Sequence, residues 1–259
     1  WSFVDHYFDI LDAKRLFAIL AAGSALGAAI GGWLGDNLSS HIPVHAFFLV
    51  WASIALISKP WVVRTAKRYV ELEQDNLDEA KTNSFRKQTK SIFSAFANSK
   101  FSLVLAATLF ATMLVTLLCE YQYMTIFSQN RTEAELASLF GKMFFWVSLV
   151  NIVLTLFVFN RLVGRLGVRN VALVQPCIYT IAFVLFLVEG GEYAAIFGFF
   201  AFHGVLTAID YNNTNFLFNA LPNKLRKQLR TMIEGLCEPI AIALVGIALY
   251  STINLLSAE

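Results

Sequence analysis

Residues 100–131 read KFSLVLAATLFATMLVTLLCEYQYMTIFSQNR, and between 101 and 126 the only charge is Glu120. A hydrocarbon core about 30 Å thick is crossed by roughly 20 apolar residues of helix. The stretch has that length, so it reads as a transmembrane helix. Working outward, six more stretches read the same way: 16–34, 43–60, 138–159, 171–188, 193–216 and 231–256. The sequence therefore predicts an all-α membrane protein with seven transmembrane helices.

Charge sets the expected orientation. Lys14 and Arg15 precede the first stretch, and Arg64, Lys67, Arg68, Lys81, Arg86, Lys87, Lys90 and Lys100 lie between the second and third. Arg161, Arg165 and Arg169 follow the fourth, and Lys224, Arg226, Lys227 and Arg230 follow the sixth. The alternate gaps hold Asp36 and His41, then Arg131, Glu133 and Glu135, then Glu189 and Glu192. Lys and Arg near span ends resist translocation, so the basic gaps are expected to be cytoplasmic. The alternation runs through all seven helices, and adding or losing one would break it.

The 259 residues are 57% hydrophobic and 15% charged, where soluble domains hold about a quarter charged. The net charge of +2 says little as a sum, and its placement points to lipid headgroups, not nucleic acid. Cys119, Cys177 and Cys237 lie within spans without metal or redox spacing and read as small apolar core residues. No Walker pattern, nucleophile constellation or His/Asp/Glu metal cluster is found, so no enzyme activity, cofactor or metal is expected.

Three regions are expected. Residues 1–60 hold two spans, preceded by what reads as the tail of a missing helix. Residues 61–100 form a basic central cytoplasmic loop, and 101–259 form a bundle of five spans. The loop has no Gly and places Val70, Leu72, Leu77 and Ala80 at helix-like intervals, which predicts an amphipathic helix along the membrane surface. A plain solvated tether is the alternative. In this layout the chain is a fragment lacking its N-terminal helices, and its partners include those helices and the bilayer.

This plan resembles the major facilitator superfamily, in which two six-helix bundles are joined by a long cytoplasmic loop. The resemblance implies a partial major-facilitator bundle holding the fifth to eleventh helices. Residues 160–169, NRLVGRLGVR, are similar to the superfamily's Gly-x-x-x-Asp-Arg-x-Gly-x-Arg loop: Arg165, Gly167 and Arg169 match, while Asn160 and Gly164 replace the first Gly and the Asp. Arg161 adds to this basic loop. The would-be sixth and ninth helices (43–60, 171–188) are nearly free of polar side chains, as peripheral helices should be. Gly23, Gly27 and Gly31 recur every four residues, a small-residue stripe suited to close packing of two helices.

Two blocks resemble a narrower family, the nucleotide transporters of the ADP/ATP translocase type. They are residues 12–27, DAKRLFAILAAGSALG, and residues 211–235, which begin YNNTNFLFNALP. This resemblance implies a secondary transporter that carries ATP/ADP-like nucleotides or a related organic anion by alternating access, in a multi-pass protein of the bacterial inner membrane. A carrier of another solute and a non-transporting anchor or interaction module stand as alternatives.

Candidate pathway residues are the polar groups inside spans, where an ionisable side chain is expensive and usually faces a bundle interior. Glu120 and Lys142 are expected at similar depth near the outer side, either as an ion pair lining a mouth with Tyr121 and Tyr123 or snorkelling separately. Asn151 lies within the fourth span. His203, Thr207, Asp210 and Thr214 share a face of the sixth, while Asn212, Asn215 and Asn219 occupy another. Those amides suit the base and ribose of a nucleotide, or alternatively capping and loop anchoring. Glu238, just before Pro239, is a candidate for proton coupling at a helix break. Arg230 and Glu234 are expected to support the start of the seventh span.

Overall fold

The computed structural model describes residues 10–68, 100–219, 221 and 223–256, and among these there is no strand. Among the described residues, helices stand where the apolar stretches predict them: α1 (Ile10–Ser39), α2 (Phe47–Arg68), α3 (Lys100–Ser128), α4 (Glu133–Val171), α5 (Val174–Val188), α6 (Glu192–Asn219) and α7 (Asn223–Leu256). Most run past their apolar stretches because the end turns hold residues that belong at the headgroups. Five have the length and hydropathy to cross a membrane. α5 is apolar but has 15 residues, about 22 Å of helix. The helix expected within 61–100 falls mainly on residues 69–99, outside the described residues, although α2 continues through Pro60 to Arg68.

Three spans contain a π turn, a local widening that recurs at functional sites. These are Leu154–Val158 in α4, Ala201–Leu206 in α6 and Ile233–Cys237 in α7. The last directly precedes Glu238 and Pro239, where proline's missing N–H disturbs the ladder. α4 begins with a reciprocal cap: Thr132 Oγ1 accepts from the Glu135 N–H and Glu135 Oε2 accepts from the Thr132 N–H. The Thr-x-x-Glu spacing is the sequence signal for it.

Packing divides the chain into two compact units, residues 1–82 with 128–161 and residues 83–127 with 162–259. This cuts the chain differently from a division at residue 100. In the first unit α1 packs along α4. The buried face of α1 carries Ala22, Ala25, Ala29 and Gly32. A Cβ on Gly32 would lie 2.6 Å from Gly141 O and 2.7 Å from Phe145 N, so the two backbones nearly touch there. In this unit the Gly23, Gly27, Gly31 stripe faces away from α4. A Cβ at any of the three meets nothing within 4 Å, because the helix turns a neighbouring stripe toward α4. α2 buries none of its spanning window, and Phe48, Trp51, Leu56 and Ile57 are exposed. Such a surface is stable only against lipid or other helices.

In the second unit Leu105 and Ala106 of α3 cluster with Phe218 and Leu221 at the end of α6 and Leu229 and Ile233 of α7. α5 packs against α6. The outer faces of α5 and α7 expose Ile181, Val184, Leu187, Ile242 and Ile247, as a lipid boundary requires.

Candidate functional site

A ladder of polar pairs runs between α3 and the two helices packed beside it in the second unit. Thr112 Oγ1 donates to Gln175 Oε1 at 3.2 Å, and Thr116 Oγ1 meets Tyr179 Oη at 2.6 Å. Further along, Tyr123 Oη meets His203 Nε2 at 3.3 Å. Residues 112, 116 and 123 share one face of α3, and 175 and 179 are one turn apart on α5. Without water, an unpaired polar group in a bilayer costs several kcal/mol, so these groups pair with one another.

The ladder is tightly enclosed. Tyr123 is fully buried, and the Phe199 ring meets it edge-on at 5.5 Å and lies 4.5 Å from the His203 ring. Cys119 is buried between these pairs, and a Cβ on Gly198 would lie 2.8 Å from the Phe186 ring, so Gly198 leaves room for that α5 side chain against α6. His203 sits inside the π turn of α6, where Thr207 Oγ1 bonds back to Phe202 O at 2.9 Å. Glu120 and Asp210 are both half-buried and within electrostatic range of the Tyr179 hydroxyl.

The structure thus brings Glu120, Tyr123, His203 and Asp210 to one seam, together with Thr112, Thr116, Gln175 and Tyr179. The last two correct the expectation that the 171–188 helix is purely peripheral. Its average apolarity hides two polar residues one turn apart, both turned inward. Tyr121 is half-buried, and Glu238 is exposed.

Lys142 and Asn151 lie in the first unit. The carboxylate beside Lys142 is Asp36 of α1, with Nζ 3.7 Å from Oδ1. Asp36 Oδ1 also accepts from Ser138 Oγ. Around this pair opens a pocket of about 590 Å³ lined by Asp36, Ser39, His41, Arg131, Glu135 and Lys142, on the side expected to face outward. Asn151 Oδ1 accepts from Thr155 Oγ1 at 3.0 Å within its own helix.

The Asn-rich end of α6 is hydrogen-bonded within the second unit. Asn212 Nδ2 donates to Ala208 O at 2.6 Å, and Asn215 Oδ1 accepts from Arg230 Nη2 at 2.6 Å. The Arg230 guanidinium also sits 5.5 Å above the Phe218 ring. Asn213, absent from the sequence-derived candidates, is fully buried and sends Nδ2 to Val168 O at 3.1 Å. That carbonyl follows Gly167, which has φ +76° and ψ 157° and breaks α4 inside the basic loop. Arg161, Arg165 and Arg169 of that loop are exposed.

No curated protein and no solved structure matches this chain. The family model described as Major Facilitator Superfamily matches residues 4–250. That match covers α1 to α6 and most of α7, the glycine break near the end of α4, and the polar seam of α3, α5 and α6. The chain belongs to the Major Facilitator Superfamily, whose members are secondary transporters of solutes.

Proposed function

We propose that this chain carries part of the path of a secondary transporter for nucleotides or a related organic anion, working by alternating access. The observation that carries the transport reading is the Tyr123–His203 pair, a buried polar contact at a π turn inside a span. An anchor helix would fill those positions with apolar side chains at lower cost. The nucleotide reading is supported by the two blocks at 12–27 and 211–235 that resemble ADP/ATP translocase-type carriers. Tyr, His and Gln side chains of the seam offer donors and acceptors for a ribose and a base edge. Phosphate charge would then be met at the span ends, where Arg230 stands.

A second reading, a neutral or cationic polar solute, is favoured by one specific feature. Glu120 and Asp210 place two carboxylates at the seam, and phosphate would be repelled by both unless a cation travels with it. Uptake of labelled ATP into proteoliposomes holding the full-length protein separates the two. Uptake that rises with ADP trapped inside supports exchange of nucleotides. No uptake of ATP or ADP under any gradient sinks the nucleotide reading and leaves the other solute.

A further inference from the structure

We propose that Asn213 is a positioning residue that latches the turn at Gly167 to α6, the helix that carries His203 and Asp210. At Gly167 the backbone takes φ +76° and ψ 157°, a region open in practice only to glycine. Helical hydrogen bonding resumes just after the break, where the Ala172 N–H donates to Val168 O at 3.2 Å. The Asn213 amide donates to the same oxygen at 3.1 Å, from 45 residues further along the chain.

The amide uses only half its capacity. Asn213 Oδ1 is buried and accepts no hydrogen bond among the described residues. A leucine would fill a similar volume without leaving an acceptor bare, and the neighbouring buried positions on this face are apolar, Leu206 and Ile209. The bond gained by latching and the acceptor stranded by it are comparable in size and opposite in sign. The contact therefore holds the turn in one place while adding little net stability. When the turn swings away, water reaches both ends of the amide and satisfies them. A contact near balance lets a hinge occupy two settings, as a loop on the expected cytoplasmic face of an alternating-access carrier must. The inference rests on the transporter reading but not on the identity of the cargo.

The test uses full-length protein in detergent with Cys177 and Cys237 changed to Ser, and it needs no substrate. Maleimide labelling is followed at Leu166→Cys, beside the hinge, and at Leu187→Cys, at the far end of α5; both leucines are exposed. Asn213→Leu is expected to raise labelling at 166 by about threefold or more, with 187 unchanged and melting within about 2 °C of the parent. Should that variant not fold, Gly167→Ala strains the same latch from the backbone side and is expected to give the same rise confined to 166. Unchanged labelling at 166, or an equal rise at both sites, overturns the latch. So does a melting loss beyond about 5 °C in Asn213→Leu, which would make Asn213 an ordinary core residue.

Discussion

Gly141→Ala is expected to be among the most damaging small substitutions in the first unit, and the magnitude follows from the helix contact. A Cβ built on Gly141 falls 2.7 Å from Gly32 O and 2.9 Å from Asp36 Cα, and it also runs into the Asp36 backbone nitrogen. All three are backbone atoms, so no flexible side-chain tip can move aside. Restoring ordinary contact requires α1 and α4 to part by roughly 1 Å, and a gap of that size forfeits about a quarter to a half of each dispersion contact. Ala22, Ala25 and Ala29 lie along the seam that opens. Overpacking costs about 1–3 kcal/mol, and the upper half of that range applies where nothing can yield. At about 2–4 °C per kcal/mol, the melting temperature should fall by about 5–8 °C. A fluorescence melt of the purified full-length protein in detergent reads it. Gly31→Ala is the paired control: its Cβ enters open space, and alanine is favoured over glycine in a helix by about 0.5–1 kcal/mol. Its melting point should hold or rise by up to about 4 °C. If Gly31→Ala costs as much as Gly141→Ala, the stripe of Gly23, Gly27 and Gly31 is the packed face and the contact argued here is wrong.

Three further outcomes follow from the same geometry. Asp36→Ala removes the acceptor of Ser138 and the partner of Lys142; Lys142 is 62% exposed, so its share is under about 1 kcal/mol, and Lys142→Ala alone should shift the melt by less than about 3 °C. Thr132→Ala should cost about 0.5–2 kcal/mol, and adding Glu135→Ala should cost little more because the cap is reciprocal, which a double-mutant melt measures. Tyr123→Phe removes one membrane-buried hydrogen bond, worth about 0.6 kcal/mol on average and up to about 1.7, so the fold should survive. Labelled ATP uptake should nevertheless fall about tenfold or more if the pair lines the path, whereas a loss matching only the amount of folded protein would make the contact structural.

Helix placement was legible because it is set by local properties of the chain. A run of apolar residues has no alternative to a helix in lipid, and Lys and Arg report on their own neighbourhood. The packing face of α1 was not legible in the same way. Residues 22–32, AGSALGAAIGG, offer two small-residue stripes about 100° apart, and both meet the spacing that close packing asks for. What separates them is Gly141, more than a hundred residues away, which leaves room for backbone contact only where Gly32 faces it. The pairing of Lys142 depends on the same docking. With α1 packed along that stretch of α4, Asp36 comes within reach of Lys142.

The polar block at the end of α6 shows how a finer reading could have been made. Asn212, Asn213 and Asn215 look alike as composition. Helical rotation gives them different work. Positions 206, 209 and 213 recur at three and four residues, and the first two are Leu and Ile, so Asn213 interrupts an apolar face. An amide on a polar face has water, a carbonyl of its own helix or a neighbouring side chain within easy reach; Asn212 bonds Ala208 O and Asn215 bonds Arg230. An amide on an apolar face must have a specific partner or carry an unpaired atom. Asn213 does both at once, bonding Val168 O with one atom and leaving the other bare. In a span, the polar residue whose helical neighbours are apolar is therefore the one whose partner constrains the fold most.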